Sequence, residues 1–124
     1  MIRVSFYLLA TGEITRRAML HPDLVGANLA DGEGVIEGWV DGARARIIAG
    51  RVAQKPEAEI AAEESVRAWA ELRMARNARL AGSDWTQGAD APVDRAAWAA
   101  YRQRLRDLPA ATTDPSDPAW PDPP

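Results

Sequence analysis

The chain has 124 residues, with 15 basic and 18 acidic side chains and a formal net charge of −3. This length predicts one small domain, with or without an appendage, and the charge gives no overall attraction to nucleic acid or to anionic membrane. Because cysteine is absent, disulfides, thiolate metal sites and cysteine nucleophiles are excluded. No secretory signal or bilayer-spanning apolar run is recognisable, so we expect a cytosolic protein unless a larger assembly carries it elsewhere.

The N-terminal residues predict a β-hairpin. Apolar and polar side chains alternate from Ile2 to Leu8, which is the period of a strand with one buried face. Thr11-Gly12 is a turn signal, and Glu13 to Leu20 is expected to return as the second strand with Ile14 facing inward.

A second hairpin is predicted around Asp41-Gly42. This pair lies between two β-prone runs, residues 35–40 and 43–48, and an Asp-Gly pair readily supplies the positive φ angles that a tight hairpin turn requires. Residues 1–55 are therefore predicted to form a small antiparallel β unit.

Two helices are predicted to follow this unit. Residues Glu57 to Leu80 contain no proline or glycine, carry acid early and arginine late, and should end at a glycine cap on Gly82. The face expected to be buried comprises Ala62, Val66, Trp69, Leu72 and Leu80.

The second helix is predicted to begin near Pro92 or Asp94 and to stop at Pro109. It carries one apolar stripe, formed by Trp98, Tyr101, Leu105 and Leu108. Residues 110–124 are rich in proline and aspartate and predict an extended, polyproline-like tail with little order. The predicted fold class is thus α+β: a β unit (1–55), a helical hairpin (56–109) and an extended tail (110–124).

No catalytic, metal or cofactor site is predicted. His21 stands beside a proline in a turn, and no serine lies in a nucleophile elbow. Glu63 and Glu64 are adjacent on a helix and so point roughly 100° apart, which prevents a shared-proton pair. The glycines form no phosphate-binding loop. The sequence therefore favours a protein without enzymatic activity.

Arginine is concentrated on the predicted helices and is interleaved with aromatic side chains, a pattern also found in nucleic-acid binders. Acidic residues, among them Glu71, Asp84 and Asp94, interrupt this positive charge. Since nucleic acid needs a contiguous basic face, a small nucleic-acid-binding regulator is only a further alternative.

Two tryptophans are candidates for contact with another protein. Trp85 follows Ser83-Asp84, and it either packs on both helices or serves as an anchor for a partner, since tryptophan and arginine dominate interface hot spots. Trp120 lies between Pro118 and Pro121, and it either forms part of a docking peptide or folds back on the helices. Both alternatives stay open in each case.

The C-terminal two-fifths of the chain resembles the phage tail assembly chaperone family. The resemblance is carried by multi-residue blocks in the family's order: Arg76-Asn77, Leu80, Ser83-Asp84-Trp85-Thr86-Gln87, Asp90-Ala91-Pro92, Trp98-Ala99-Ala100-Tyr101-Arg102-Gln103, Leu105-Arg106-Asp107-Leu108-Pro109 and Trp120-Pro121.

This resemblance implies a non-enzymatic protein of a tailed bacteriophage or prophage that acts in tail or tail-fibre assembly and needs no cofactor. Its partner would be a tail or tail-fibre protein, with homo-oligomerisation as an open possibility and no membrane contact. Assembly would take place in the host bacterial cytoplasm. The alternative is a structural component that stays in the virion tail. The residues expected to bind the partner are Trp85, Trp98, Tyr101, Arg102, Leu105, Arg106 and Trp120.

Overall fold

The computed structural model describes residues 1–124, which divide into two compact units, Met1–Ile60 and Ala61–Pro124. Five strands and two helices follow in chain order: β1 (Ile2–Leu8), β2 (Ile14–Leu20), β3 (Glu33–Glu37), β4 (Ala45–Ile48), β5 (Arg51–Gln54), α1 (Glu57–Ser83) and α2 (Arg95–Ala111). Neither helix combines the length and the apolar character needed to cross a bilayer. The predicted order of elements, with small antiparallel sheets followed by two helices, is confirmed.

The first unit contains a three-stranded antiparallel sheet in the order β2-β1-β3. The predicted hairpin of β1 and β2 is confirmed, with Val4 paired to Ala18. The alternating pattern predicted one buried face for β1, yet the centre of this strand is buried on both faces, since Val4, Ser5 and Phe6 are all inaccessible. The Arg16 guanidinium covers the Phe6 ring at 3.7 Å from its centroid.

The hairpin predicted at Asp41-Gly42 is wrong. β3 pairs with β1, whereas β4 pairs with β5 through the two-residue turn Ala49-Gly50, whose φ angles are 52° and 74°. The reason lies in Asp41, whose carbonyl oxygen accepts from the backbone N–H groups of Arg44 and Ala45. Asp41 therefore begins a helical type of turn, which needs no positive φ at the following glycine.

A small apolar core joins the β4–β5 hairpin to the sheet within this first unit. Its centre is buried and its margin is half-buried; the members are Val40, Ala45 and Ile47, with Tyr7, Ile14 and Ile36 packed around them. The predicted inward orientation of Ile14 is thus confirmed.

Glu33, at the start of β3, gathers a group of hydrogen bonds on the sheet. Its carboxylate accepts from the backbone N–H of Ala30 at 3.2 Å, from the Thr15 hydroxyl at 3.1 Å and from Arg16 Nη2 at 2.8 Å. The backbone hydrogen bond from Ala30 contributes most to lowering the pKa of Glu33 below its ordinary value of 4.5, and the Thr15 and Arg16 contacts add to it.

A lowered carboxyl pKa makes the contribution of Glu33 to stability dependent on pH. This contribution is fully present above the ordinary pKa of the unfolded chain and is lost as the pH falls through the lower pKa of the folded state. We expect Glu33→Gln to lower the Tm at neutral pH, and the difference from the wild type to shrink below about pH 4. Thermal melts from pH 3 to 7 would measure this.

Glu37→Gln is the matched control for that experiment, because Glu37 lies on the same strand and its side chain makes no hydrogen bond. A Glu33→Gln difference that stays constant down to the lowest pH would contradict the expected linkage.

The predicted helix from Glu57 is confirmed, and most of it belongs to the second unit. The predicted glycine cap at Gly82 is wrong because α1 continues to Ser83. The carbonyl of Leu80 accepts hydrogen bonds from the Ser83 hydroxyl and from Arg102 Nη1, so the end of the helix needs no glycine cap. Of the face expected to be buried, Leu72 is buried and Val66 is exposed.

Helix α2 begins where predicted, at Asp94, whose carboxylate accepts from the backbone N–H of Ala97 at 3.1 Å. Its apolar stripe faces the interior of the unit: Tyr101, Leu105 and Leu108 are buried. The predicted stop at Pro109 is wrong, since the helix reaches Ala111. Pro109 lies in the last turn, where a missing N–H removes a single helical hydrogen bond and so shortens the helix little.

The residues after α2 contain no helix or strand. The predicted extended tail with little order is not confirmed, because Trp120 folds back on the helices. The Arg79 guanidinium of α1 lies 3.9 Å from the centroid of the Trp120 ring, and this ring is half-buried. Of the two alternatives for Trp120, the structure has the folded-back one.

Candidate partner-binding site

Arg102 is the polar centre of the helical unit. Its side chain points to the end of α1, where Nη1 donates to the Leu80 carbonyl at 2.6 Å and to the Ser83 hydroxyl at 2.7 Å, and Nη2 donates to the Asp84 carboxylate at 2.7 Å. Only 8% of this residue is accessible. A planar guanidinium is suited to this task because it can donate several hydrogen bonds in one plane at once.

The turn after α1 is held by the same network. Residues Asp84–Gln87 form a 3-10 turn in which the buried Thr86 hydroxyl donates to the Ser83 carbonyl at 2.6 Å. The Gln87 amide donates to the Arg95 carbonyl at 3.3 Å, which ties this turn to the start of α2. The polar members of the Ser-Asp-Trp-Thr-Gln block therefore fix the corner between the two helices.

Trp85 is the exception in this corner, since 57% of it is exposed. Its ring lies 6.4 Å from that of Trp98, and Trp98 meets Tyr101 edge to face at 5.6 Å. These three rings form a continuous aromatic row that runs from the surface to the buried stripe of α2. Such a row presents a large apolar surface on a fixed support, as interface anchors require.

The seven residues predicted to bind a partner fall into two groups in the structure. Tyr101, Arg102 and Leu105 are buried and hold the hairpin together. The other four are accessible in whole or in part: Trp85 and Arg106 are exposed, and Trp98 and Trp120 are half-buried. The structure thus brings Trp85 and Trp98 together, whereas Trp120 contacts Arg79.

A groove on the same unit was not predicted from the sequence. It encloses about 440 Å³ and is lined by Val66, Trp69, Arg73, Pro109 and Ala110. The exposed Val66 contributes to its wall, and the Arg73 guanidinium lies 5.6 Å from the Trp69 ring centroid. Its lining comes from two distant segments of the chain, residues 66–73 and 109–110, so no local sequence pattern predicts this groove.

Comparison with known protein families tests the resemblance that the sequence blocks indicated. Residues 69–124 match the family model of the phage tail assembly chaperone protein. The match begins inside α1 and runs to the C-terminus, so it includes the corner, the aromatic row and Trp120. It confirms the resemblance inferred from the sequence blocks and supports a role in phage tail assembly. Searches of curated proteins and of solved structures found no match.

The family-matching blocks acquire a physical meaning from the structure. Arg102 and Ser83 belong to two separate blocks, and Arg102 donates a hydrogen bond to the Ser83 hydroxyl. Arg102 also donates to the carbonyl of Leu80, which belongs to a third block. Sequence reasoning missed this because arginine on a helix is usually solvated. The one available signal was position, since Arg102 directly follows a residue of the apolar stripe.

Proposed function

We propose that the chain is a non-enzymatic assembly factor of a bacteriophage tail and that its helical hairpin holds a tail or tail-fibre subunit. The family match over residues 69–124 carries this proposal, because a tail assembly chaperone is expected to bind phage tail proteins. Assembly takes place in the host bacterial cytoplasm, where the tail subunits are made.

The exposed end of the aromatic row is the proposed contact surface. Trp85 supplies the anchor, Trp98 supports it from below, and the exposed Arg106 and the half-buried Trp120 are the remaining accessible members of the set. Tyr101, Arg102 and Leu105 act indirectly by keeping the corner rigid. A rigid support favours affinity because less side-chain freedom is lost on binding.

Trp85→Ala tests this proposal. We expect capture of tail subunits from an infected lysate to weaken at least tenfold, about 1.4 kcal/mol or more, because hot-spot tryptophans typically contribute that much. The Tm should change little, since 57% of the residue is already exposed to water. Quantitative mass spectrometry of material captured on the immobilised full chain measures the binding.

Met74→Ala is the control, because Met74 is also a large exposed apolar residue of this unit, on α1 and outside the aromatic row. Unchanged capture by Trp85→Ala together with a lower Tm would reduce Trp85 to a packing residue and refute the anchor. Finding the chain at fixed copy number in purified particles would instead make it a structural component of the tail.

A further inference from the structure

The first unit carries an exposed tryptophan whose backbone is fixed on both sides. Gly38 N–H donates to the Arg3 carbonyl at 2.8 Å, and its own carbonyl accepts from the Ser5 hydroxyl at 2.8 Å. On the C-terminal side of Trp39, the backbone N–H of Val40 donates to the same hydroxyl at 2.9 Å. Trp39 therefore has little backbone freedom, and yet 53% of it is exposed.

The bend that places Trp39 here depends on Gly38, whose φ of 99° is a conformation that other residues rarely adopt. Ser5 is fully buried, so its hydroxyl has no access to water and serves only to hold this segment. A large apolar ring held in solvent by buried hydrogen bonds is the arrangement expected of a binding surface rather than of a core.

Two arginines stack on this ring from the neighbouring strands. The guanidinium carbons of Arg3 and Arg17 lie 4.7 Å and 5.7 Å from the centroid of the Trp39 ring. Both side chains are exposed, and the structure gives neither of them a hydrogen bond or a carboxylate partner. Arg16, by contrast, is paired with Glu33. The positive charge on this face of β1 and β2 is thus uncompensated.

We propose that the Trp39 patch, formed by Trp39, Arg3 and Arg17 with the exposed Met19 paired to Arg3, binds an acidic polypeptide segment of a partner protein. A guanidinium stacked on an aromatic ring keeps its N–H edge free, and this edge matches a carboxylate with two parallel hydrogen bonds. Met19 supplies an adaptable apolar contact for side chains that flank the carboxylates.

Nucleic acid is the competing ligand, because phosphate also fits the guanidinium edge. The patch contains only two arginines on a chain with a net charge of −3, whereas binding to a nucleic-acid backbone draws on several phosphate contacts. The small number of arginines therefore favours carboxylates over a nucleic-acid backbone. The patch lies outside residues 69–124, so this proposal does not depend on the function proposed for the helical unit.

The test uses the full chain and a fluorescein-labelled, glutamate-rich peptide with interspersed leucines, followed by fluorescence anisotropy. We expect the double variant Arg3→Gln/Arg17→Gln to bind this peptide at least about tenfold more weakly, because two charge-assisted contacts are lost. Binding by the wild type should also weaken with added salt.

The control is Arg44→Gln/Arg51→Gln, which removes the same charge from exposed arginines of the same unit that make no side-chain hydrogen bond. Equal weakening by both double variants, or no binding of the peptide by the wild type, would overturn the proposal. So would tighter binding of a single-stranded oligothymidine than of the peptide. Circular dichroism would show that each variant is folded.

Discussion

Arg102→Ala is expected to destabilise the helical unit by about 2–4 kcal/mol, because it removes charge-assisted hydrogen bonds from a largely buried part of the unit. The Leu80 carbonyl would lose a hydrogen bond of 2.6 Å, and the buried Ser83 hydroxyl would lose one of 2.7 Å. The burial of the arginine stem would be lost as well. Loss of the Asp84 contact should contribute less to the destabilisation, since the Asp84 side chain is two-thirds exposed and can be hydrated.

Urea unfolding followed by tryptophan fluorescence measures this effect. Four of the five tryptophans lie in the second unit, so a Trp39→Phe background makes the signal specific to that unit. Arg106→Ala is the matched control on the same helix, because Arg106 is exposed and should change stability by less than about 0.5 kcal/mol.

Arg102→Lys separates charge from geometry in the same experiment. Lysine retains the positive charge but has a single donor nitrogen. It therefore cannot reproduce the hydrogen bonds that Arg102 makes from two nitrogens at once. We expect it to recover only part of the lost stability. An Arg102→Ala variant as stable as Arg106→Ala would show that the network contributes nothing to the unit.

The sequence predicted those elements whose signals are local. The hairpin of β1 and β2 and the two helices were found because alternation, helical spacing and the Asp94 cap are properties of a few consecutive residues. The strand pairing of β1 with β3 was not found, because register between distant strands has no local pattern. The Asp41-Gly42 prediction failed for a related reason, since the same dipeptide also suits a helical turn.

The candidate site shows the same limit. Arg102 has the appearance of a solvated interface arginine in sequence, and its burial depends on a carbonyl that lies 22 positions earlier in the chain. The exposure of Trp39 is likewise set by the distant Ser5. Residue type therefore predicted Trp85, Trp120 and the arginines as partner-binding residues. Their division into structural and accessible members required the tertiary structure.

Gly12→Ala is expected to have the largest effect in the first unit. Gly12 lies in the loop between β1 and β2 at a φ of 78°, its N–H donates to the Leu8 carbonyl at 2.7 Å, and its carbonyl accepts from Ile47 N–H at 2.8 Å. A methyl group here would overlap the carbonyl oxygen of Ile47. Left-handed backbone strain of about 1–2 kcal/mol and overpacking of about 1–3 kcal/mol should both apply.

Gly32→Ala separates these two contributions. Gly32 has the same φ of 78°, but nothing lies within 4 Å of the position of its added methyl group, so it reports the backbone strain alone. Hydrogen exchange at the Ile47 amide, which bonds to the Gly12 carbonyl, measures the opening of the unit in both variants. We expect Gly12→Ala to accelerate this exchange well beyond Gly32→Ala. Equal rates would mean that β4 moves aside without cost, and that the contact between the hairpin loop and β4 contributes little to the fold of the first unit.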